Sequence, residues 1–333
     1  MKAFILDRYG KNAALRLGDA PEPQLQDDDI LVEVHAAALN PLDSKVRDGA
    51  FKPILPYRPP FILGHDVAGK VVRVGPTVRT FKVGDEIYAR PRDGRIGTFA
   101  EFIAINQADA ALKPKNLSME EAASIPLVGL TSWQALVERA KLQKGQKVLI
   151  QAGSGGVGAF AIQLAKHLGA TVATTTSTAN VGLVTRLGAD VVVDYKKDDF
   201  EKVLSGYDLV LNSLDGEVQE RSLSVLKPGG QLISISGPPD PQYAKAAGLN
   251  GILQLVMGLL SRGIRKKAKA RRVSYTFLFM RAHGQQLGQI TALIEAGIIR
   301  PVVDLVFPFQ TLNEAMTYIE SGRAKGKVVI KVK

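Results

Sequence analysis

The chain has 333 residues, 46% hydrophobic and 23% charged, an ordinary composition for a folded protein of about two domains. That excludes wholesale disorder, collagen-like repeats and a coiled-coil rod. The complete lack of cysteine also removes disulfides, thiolate nucleophiles, cysteine-containing zinc sites and iron–sulfur clusters.

The net charge of +11 is unevenly placed. Residues 241–294 contain no acid and nine basic residues, and taking nine from eleven leaves +2 for everything else. The high positive charge is therefore one local segment, not a global nucleic-acid signature. The opening residues meet charge at Asp7 and Arg8 before an apolar stretch develops, so a signal peptide is not expected. No uncharged apolar run reaches the roughly 18 residues of a membrane span, and a cytoplasmic protein is expected.

In chain order, the first third carries strand patterns at Ile30–His35, Val67–Val74, Asp85–Ala89 and Phe99–Ile105, broken by glycine and proline. That style predicts an antiparallel barrel or sandwich. At Ser118–Glu121 a capping-box pattern opens a helix and the style changes. Strands at Lys147–Ala152, Thr171–Thr176, Val191–Asp194, Asp208–Asn212 and Gln231–Ser236 then alternate with helical stretches at Ala159–Leu168 and around Val184–Leu187. Short apolar strands alternating with helices predict βαβ units and a doubly wound parallel sheet. Val273–Met280 offers a further strand, followed by a helix from about Gln285 to Ala296. The last residues return to β-like punctuation and end in Lys327–Val332.

Gly153-Ser-Gly155-Gly-Val-Gly158 matches G-x-G-x-x-G, follows an apolar strand and opens a helix. In that setting the glycines allow a tight turn, and backbone N–H groups meet a pyrophosphate at the positive end of the helix. About 20 residues on, where NAD enzymes place an acid against the ribose 2′-hydroxyl, the chain reads Ala173-Thr-Thr-Thr-Ser-Thr-Ala-Asn180 with no acid. Hydroxyls there accept a 2′-phosphate, and Tyr195, Lys196 and Lys197 follow the third strand within reach of the same region. NADP(H) is expected over NAD(H). Thr174, inside its strand, reads as a structural β-branched residue.

Further motifs extend over essentially the whole chain: Asn40-Pro-Leu-Asp43, Gly64-His-Asp-Val-Ala-Gly69, Phe81-Lys-Val-Gly-Asp85, Gly97-Thr-Phe-Ala-Glu101, Leu127-Val-Gly-Leu-Thr131, Pro228-Gly-Gly230 and Gly326-Lys-Val-Val329. Together with the glycine loop they resemble the medium-chain dehydrogenase/reductase superfamily, in its zinc-independent quinone oxidoreductase and alkenal/enone reductase branch. The resemblance implies an α/β fold with two parts. A GroES-like β-barrel domain comprises residues 1–123 and 298–333. A Rossmann-type NADP(H)-binding domain comprises 124–297, with a basic insertion at about 241–272.

The resemblance also implies roles. Lys45, two residues after Asp43, would lie near the nicotinamide ribose and the substrate, stabilising an enolate oxygen. Asn40 is a second catalytic candidate, or a turn residue before Pro41, and Asp43 is expected to fix the loop. Thr131 would approach the nicotinamide. Ser154, Gly155, Gly156 and Val157 would line the pyrophosphate, and Ser177, Thr178, Asn180 and Tyr195 the 2′-phosphate. Leu214, Ser236, Phe277 and Phe279 would border the cofactor cleft and Lys327 would close it; the two phenylalanines also read as ordinary core aromatics. No metal is expected. Zinc needs three or four ligands, His65 has no partner at metal-ligand spacing, and it reads as a buried, hydrogen-bonded residue.

The expected reaction is hydride transfer from NADPH to the β-carbon of an α,β-unsaturated carbonyl (enal or enone), or to a quinone. Two alternatives stand beside it: a quinone oxidoreductase without enone activity, and a nucleotide-responsive binding protein acting through residues 249–272. In that segment an apolar helix pattern (Ile252, Leu255, Val256, Leu259, Leu260) precedes seven basic residues in 262–272. It reads as a helix packed on its own core with a solvated basic loop after it, as a weak contact with an anionic membrane surface, or as a cover for the substrate. Nucleic acid is disfavoured because few aromatics interleave the charges. Val273–Met280, read as an edge strand, leaves a homodimer open.

Overall fold

Strand Asp29–Leu39 runs through the first of two units, and its β-branched and aliphatic side chains are buried along nearly its whole length. In the computed structural model, which describes residues 1–55 and 57–333, this unit is Met1–Leu130 with Arg281–Lys333. The strand pairs antiparallel with Asp66–Val74, Phe102–Asn106 and the C-terminal strand Lys327–Lys331. Val328 lies opposite Leu39, so the register brings Lys327 beside Asn40, at the mouth of the following helix Pro41–Arg47. These pairings belong to a seven-stranded sheet; Lys2–Leu6 is the middle strand of a separate three-stranded sheet. Phe4, Leu6, Ile30, Val32, Leu39, Val67, Ile87, Phe99, Val328 and Ile330 fill the core.

The division differs from the sequence-based boundaries at 123/124 and 297/298. Helix Gly284–Glu295, expected in the nucleotide-binding part, packs in the first unit instead. The Tyr88 hydroxyl there donates to Leu287 O at 2.8 Å and lies 2.9 Å from Thr291 Oγ1. The Asn116 side-chain amide donates to Ile294 O at 3.0 Å.

The second unit, Thr131–Met280, is built on a six-stranded parallel sheet. Its order is Val191–Asp194, Thr171–Thr176, Lys147–Ile150, Tyr207–Asn212, Leu226–Ser234, Ser274–Phe277. The chain starts in the middle, winds outward to one side, then returns and winds to the other. This doubly wound order creates a topological switch point between Lys147–Ile150 and Tyr207–Asn212, where ligands bind at the carboxyl ends of the strands.

Residues 241–270 form three helices between the last two strands, Pro241–Ala246, Gly251–Leu260 and Arg262–Ala270. The basic run is thus mostly helical where a solvated loop was one expectation. Ile264 and Ala268, four apart, give it a buried edge that holds it to the core of the unit. Helix Gly251–Leu260 does not pack as a core helix: Met257 is its one buried side chain. Among the described residues no helix is long and apolar enough to cross a membrane.

Candidate functional site

The glycine loop leaves the carboxyl end of Lys147–Ile150 and runs directly into helix Gly156–His167. Ala152 opens it with φ +54°, in the left-handed region that side chains avoid. Two glycines are required by close approach: a Cβ on Gly158 would stand 2.3 Å from the backbone oxygen of Ala152, and one on Gly153 would stand 2.1 Å from the side-chain Oγ1 of Thr174. The threonine run holds the loop from beneath. Thr174 Oγ1 donates to Ile150 O at 2.6 Å, Thr175 Oγ1 to Gln151 Oε1 at 2.6 Å, and Thr176 Oγ1 to Ser154 Oγ at 3.1 Å. Thr174 is fully buried, as its structural reading requires. At Gly155 the loop is open, with Ala152 O the nearest atom to an added Cβ at 3.4 Å. Gly156 and Val157 follow in the first helical turn, whose N–H groups have no intrahelical acceptor.

The other candidate residues of this unit gather at carboxyl ends of parallel strands. Ser177 follows Thr171–Thr176, Tyr195 follows Val191–Asp194, Leu214 follows Tyr207–Asn212, and Ser236 follows Leu226–Ser234; Phe277 ends the last strand. The Asn180 side-chain amide donates to Ser154 Oγ at 3.1 Å and Ser177 Oγ at 3.3 Å, drawing the two clusters together. Thr131 is the exception, buried in helix Pro126–Trp133 beside Ser132, whose hydroxyl lies 3.4 Å from Val157 O. Phe277 is a core aromatic, edge-on to Tyr243 at 5.1 Å, with Phe279 tilted against the same ring at 5.9 Å.

One acid near this region was not anticipated. Asp194 accepts from Thr178 Oγ1 at 2.6 Å and from Lys196 N at 3.1 Å, and Lys197 Nζ lies 3.8 Å away. The Thr178 hydrogen bond, with the Lys196 N–H and the two lysines, holds the Asp194 carboxyl below its ordinary value against the opposing effect of burial. Thr178 therefore directs its hydroxyl proton to Asp194 and offers a ligand only its lone pairs, while Ser177, Asn180 and Tyr195 stand outside that bond.

In the first unit the motif residues form one buried polar network. The Asp43 carboxylate accepts from Asn40 N at 2.8 Å and contacts His65 Nδ1 at 2.6 Å. Asn40 Nδ2 donates to Asp66 Oδ2 at 2.9 Å, and the Leu127 N–H donates to Asp66 Oδ1 at 2.7 Å. Lys327 Nζ donates to Asp66 Oδ2 and Leu39 O, both at 2.9 Å, and to Asn40 Oδ1. All five side chains, Asn40, Asp43, His65, Asp66 and Lys327, are buried. The Asn40 amide is thus engaged at both ends, and the Lys327 ammonium has three partners inside this unit, where the sequence reading had it closing over the cofactor. His65 is the buried, hydrogen-bonded residue anticipated, and Asp43 fixes the loop.

Lys45 lies on another face of the same helix. Two residues beyond Asp43 on a helix is about 200° around the axis, and Lys45 is exposed on the outer face. Among the described residues no group of three or more His, Cys, Asp or Glu side chains is arranged to hold a metal ion.

Comparison with known proteins decides the family. Residues 26–116 match the alcohol dehydrogenase GroES-like domain and residues 187–330 match the zinc-binding dehydrogenase domain. The chain is 36% identical over its whole length to the mitochondrial NAD(P)H oxidoreductase RTN4IP1 of Danio rerio, covering 91% of that protein. It belongs to the medium-chain dehydrogenase/reductase superfamily, in the quinone oxidoreductase branch. Within that superfamily it is 35% identical to the chloroplastic NADPH-dependent alkenal/one oxidoreductase of Arabidopsis thaliana, over 99% of this chain and 79% of that one. The quinone oxidoreductase of Coxiella burnetii superposes with a TM-score of 0.87 at 30% identity, over 100% of this chain and 99% of that one. This superfamily member is an NADP(H)-dependent oxidoreductase with a Rossmann-type and a GroES-like part.

The second unit fits that cofactor. The open loop at Gly155 and the first-turn N–H groups suit a pyrophosphate. Asn180 Oδ1 and Ser236 Oγ are buried without a partner among the described residues, one on each side of the switch point, as atoms awaiting a ligand's hydroxyls would be.

Proposed function

We propose that this oxidoreductase reduces conjugated carbonyl acceptors, enals and enones first and quinones second, without a metal ion. Bound NADPH supplies the hydride, which goes to the β-carbon of the acceptor. The C=C electron pair then moves onto the carbonyl oxygen as an enolate, and a proton added at the α-carbon gives the saturated carbonyl.

The chain's task is to hold the two partners and to balance that negative charge. Lys45 is the residue we assign to the enolate oxygen. The observation that carries the assignment is the contrast on helix Pro41–Arg47. One side is immobilised by Asn40, Asp43, His65, Asp66 and Lys327, while Lys45 stands exposed on the other. A cation carried on a held helix is placed to balance a developing anion, and removing an oxyanion donor typically lowers kcat by about 100- to 1000-fold. Ser177, Asn180 and Tyr195 are assigned to the 2′-phosphate, with Lys196 and Lys197 supplying positive charge nearby. The relatives described above, an alkenal/one oxidoreductase and a quinone oxidoreductase, support both acceptor classes.

The test is NADPH oxidation with but-3-en-2-one and with 1,4-benzoquinone, in the wild type and in Lys45→Ala. Enone turnover that falls about 100-fold or more in the variant, with NADPH binding retained by fluorescence titration, is expected. Turnover of benzoquinone alone, unchanged by the substitution, would favour the quinone oxidoreductase reading and return Lys45 to the solvated surface.

A further inference from the structure

Helix Gly251–Leu260 turns its apolar side outward. Ile252, Leu255, Val256, Leu259 and Leu260 are each between 43% and 76% exposed. Their spacing of three, one, three and one places them on a single face. The helix is nevertheless well held. The Asn250 side chain caps it, accepting from Leu253 N at 3.0 Å, and the Ser261 hydroxyl closes its end, donating to Met257 O at 2.7 Å. An outward stripe on a well-capped helix is a feature of the native surface, not of a frayed one.

The cations follow at once. Arg262, Lys266, Lys269, Arg271 and Arg272 are exposed, and none has an acidic partner among the described residues. Arg265 instead folds back onto Ser261 Oγ and Gly258 O, and Lys267 pairs with Glu220. Ile264 and Ala268 anchor this second helix to the core, which keeps the charged side chains outward.

We infer that this surface docks on an anionic lipid bilayer, with the aliphatic stripe among the upper acyl chains and the five cations at headgroup phosphates. Charge selects the occupant. A second copy packing stripe to stripe about a two-fold axis would bring the same unpaired cations against each other. The stripe holds only Ile, Leu and Val, so it offers a folded partner neither a directional polar group nor a charge. A helix about 15 Å long lying in the interface plane needs neither on that face.

The test is flotation of the full chain, loaded with NADPH, on vesicles of phosphatidylcholine alone or with about one third phosphatidylglycerol, at low and at physiological salt. Two variants accompany it: Leu255→Gln/Leu259→Gln, and the five-fold Arg262→Gln/Lys266→Gln/Lys269→Gln/Arg271→Gln/Arg272→Gln. Binding to the anionic vesicles alone is expected. It should weaken about 100-fold or more in the five-charge variant and about 10-fold or more in the leucine variant. Thermal melting and NADPH oxidation should be unchanged in both. Anionic binding indifferent to the leucines would reduce the effect to bulk charge and overturn the inference. So would no vesicle binding in the wild type, a solution dimer that the leucine variant dissociates, or capture by immobilised polyglutamate in place of vesicles.

Discussion

Lys327→Met removes the cation from a buried ion pair while preserving most of the side chain's apolar stem. Lys327 is 5% exposed and Asp66 0%, with Nζ and Oδ2 2.9 Å apart. The substitution leaves the Asp66 carboxylate with two donors, Asn40 Nδ2 at 2.9 Å and Leu127 N at 2.7 Å, and no counter-charge at its second oxygen. Leu39 O and Asn40 Oδ1 lose a donor as well. Breaking one side of a buried pair costs about 3–5 kcal/mol, because the remaining charge is neither solvated nor compensated. Adding Asp66→Asn removes that stranded charge, and the double variant should recover about 2 kcal/mol of the loss. With two units in the chain, one global unfolding free energy is not the right observable. The single tryptophan, Trp133, lies in the other unit. Amide hydrogen exchange of Asp29–Leu39 and Lys327–Lys331, read by mass spectrometry, follows the affected strands directly. A loss under about 1 kcal/mol in the single variant, or a double variant no more stable than the single, would refute the argument.

Four further outcomes follow from the same geometry. Gly158→Ala drives a methyl into backbone at 2.3 Å and should destabilise the second unit by about 1–3 kcal/mol in thermal melts without cofactor. Gly155→Ala, with 3.4 Å of room, should leave melting within about 0.5 kcal/mol yet weaken NADPH binding by fluorescence titration; the reverse pattern would misplace the pyrophosphate. Ser177→Asp puts a carboxylate at the end of Thr171–Thr176 and should raise the Kd for NADPH about 10-fold or more while sparing NADH; equal effects on both would remove Ser177 from the 2′-phosphate. Burial alone would raise the Asp29 carboxyl, but Arg95 at 2.5 Å and the Gln26 N–H outweigh it and hold the group below its ordinary value. A depressed folded pKa stabilises above the unfolded value of about 3.9 and loses that contribution as pH falls through the folded one. The stability gap between wild type and Asp29→Asn should therefore be constant from about pH 7 to 5 and shrink below about pH 4 in urea titrations read by amide exchange of Asp29–Leu39; a gap that widens on acidification contradicts it.

The parts of the molecule readable in the sequence are those set by local patterns. Thr171–Thr176 and Val191–Asp194 occur as their apolar periodicity predicts, and the glycine loop sits between the strand and helix that its motif demands. Asp43 and His65 could be read as loop-fixing and buried because their motifs are short and contiguous. Asp66 and Lys327 could not be paired, since 261 residues separate them and only the strand register Val328 opposite Leu39 brings them together. The placement of Gly284–Glu295 was missed for the same reason: an amphipathic helix announces its own face, not the sheet that will receive it. Asp194 lies outside the loop that follows Thr171–Thr176, and only the adjacent parallel strand delivers its carboxylate to Thr178. The outward stripe at Ile252, Leu255, Val256, Leu259 and Leu260 has the spacing of a core helix, and only burial separates the two.

Conjugate reduction is tested most directly by following the hydride. NADPH deuterated at the transferred position of the nicotinamide is oxidised by the enzyme with but-3-en-2-one, and the product is read by NMR. The account predicts butan-2-one carrying one deuterium on the former β-carbon per NADPH consumed. Deuterium on the carbonyl carbon, in the unsaturated alcohol, would contradict it.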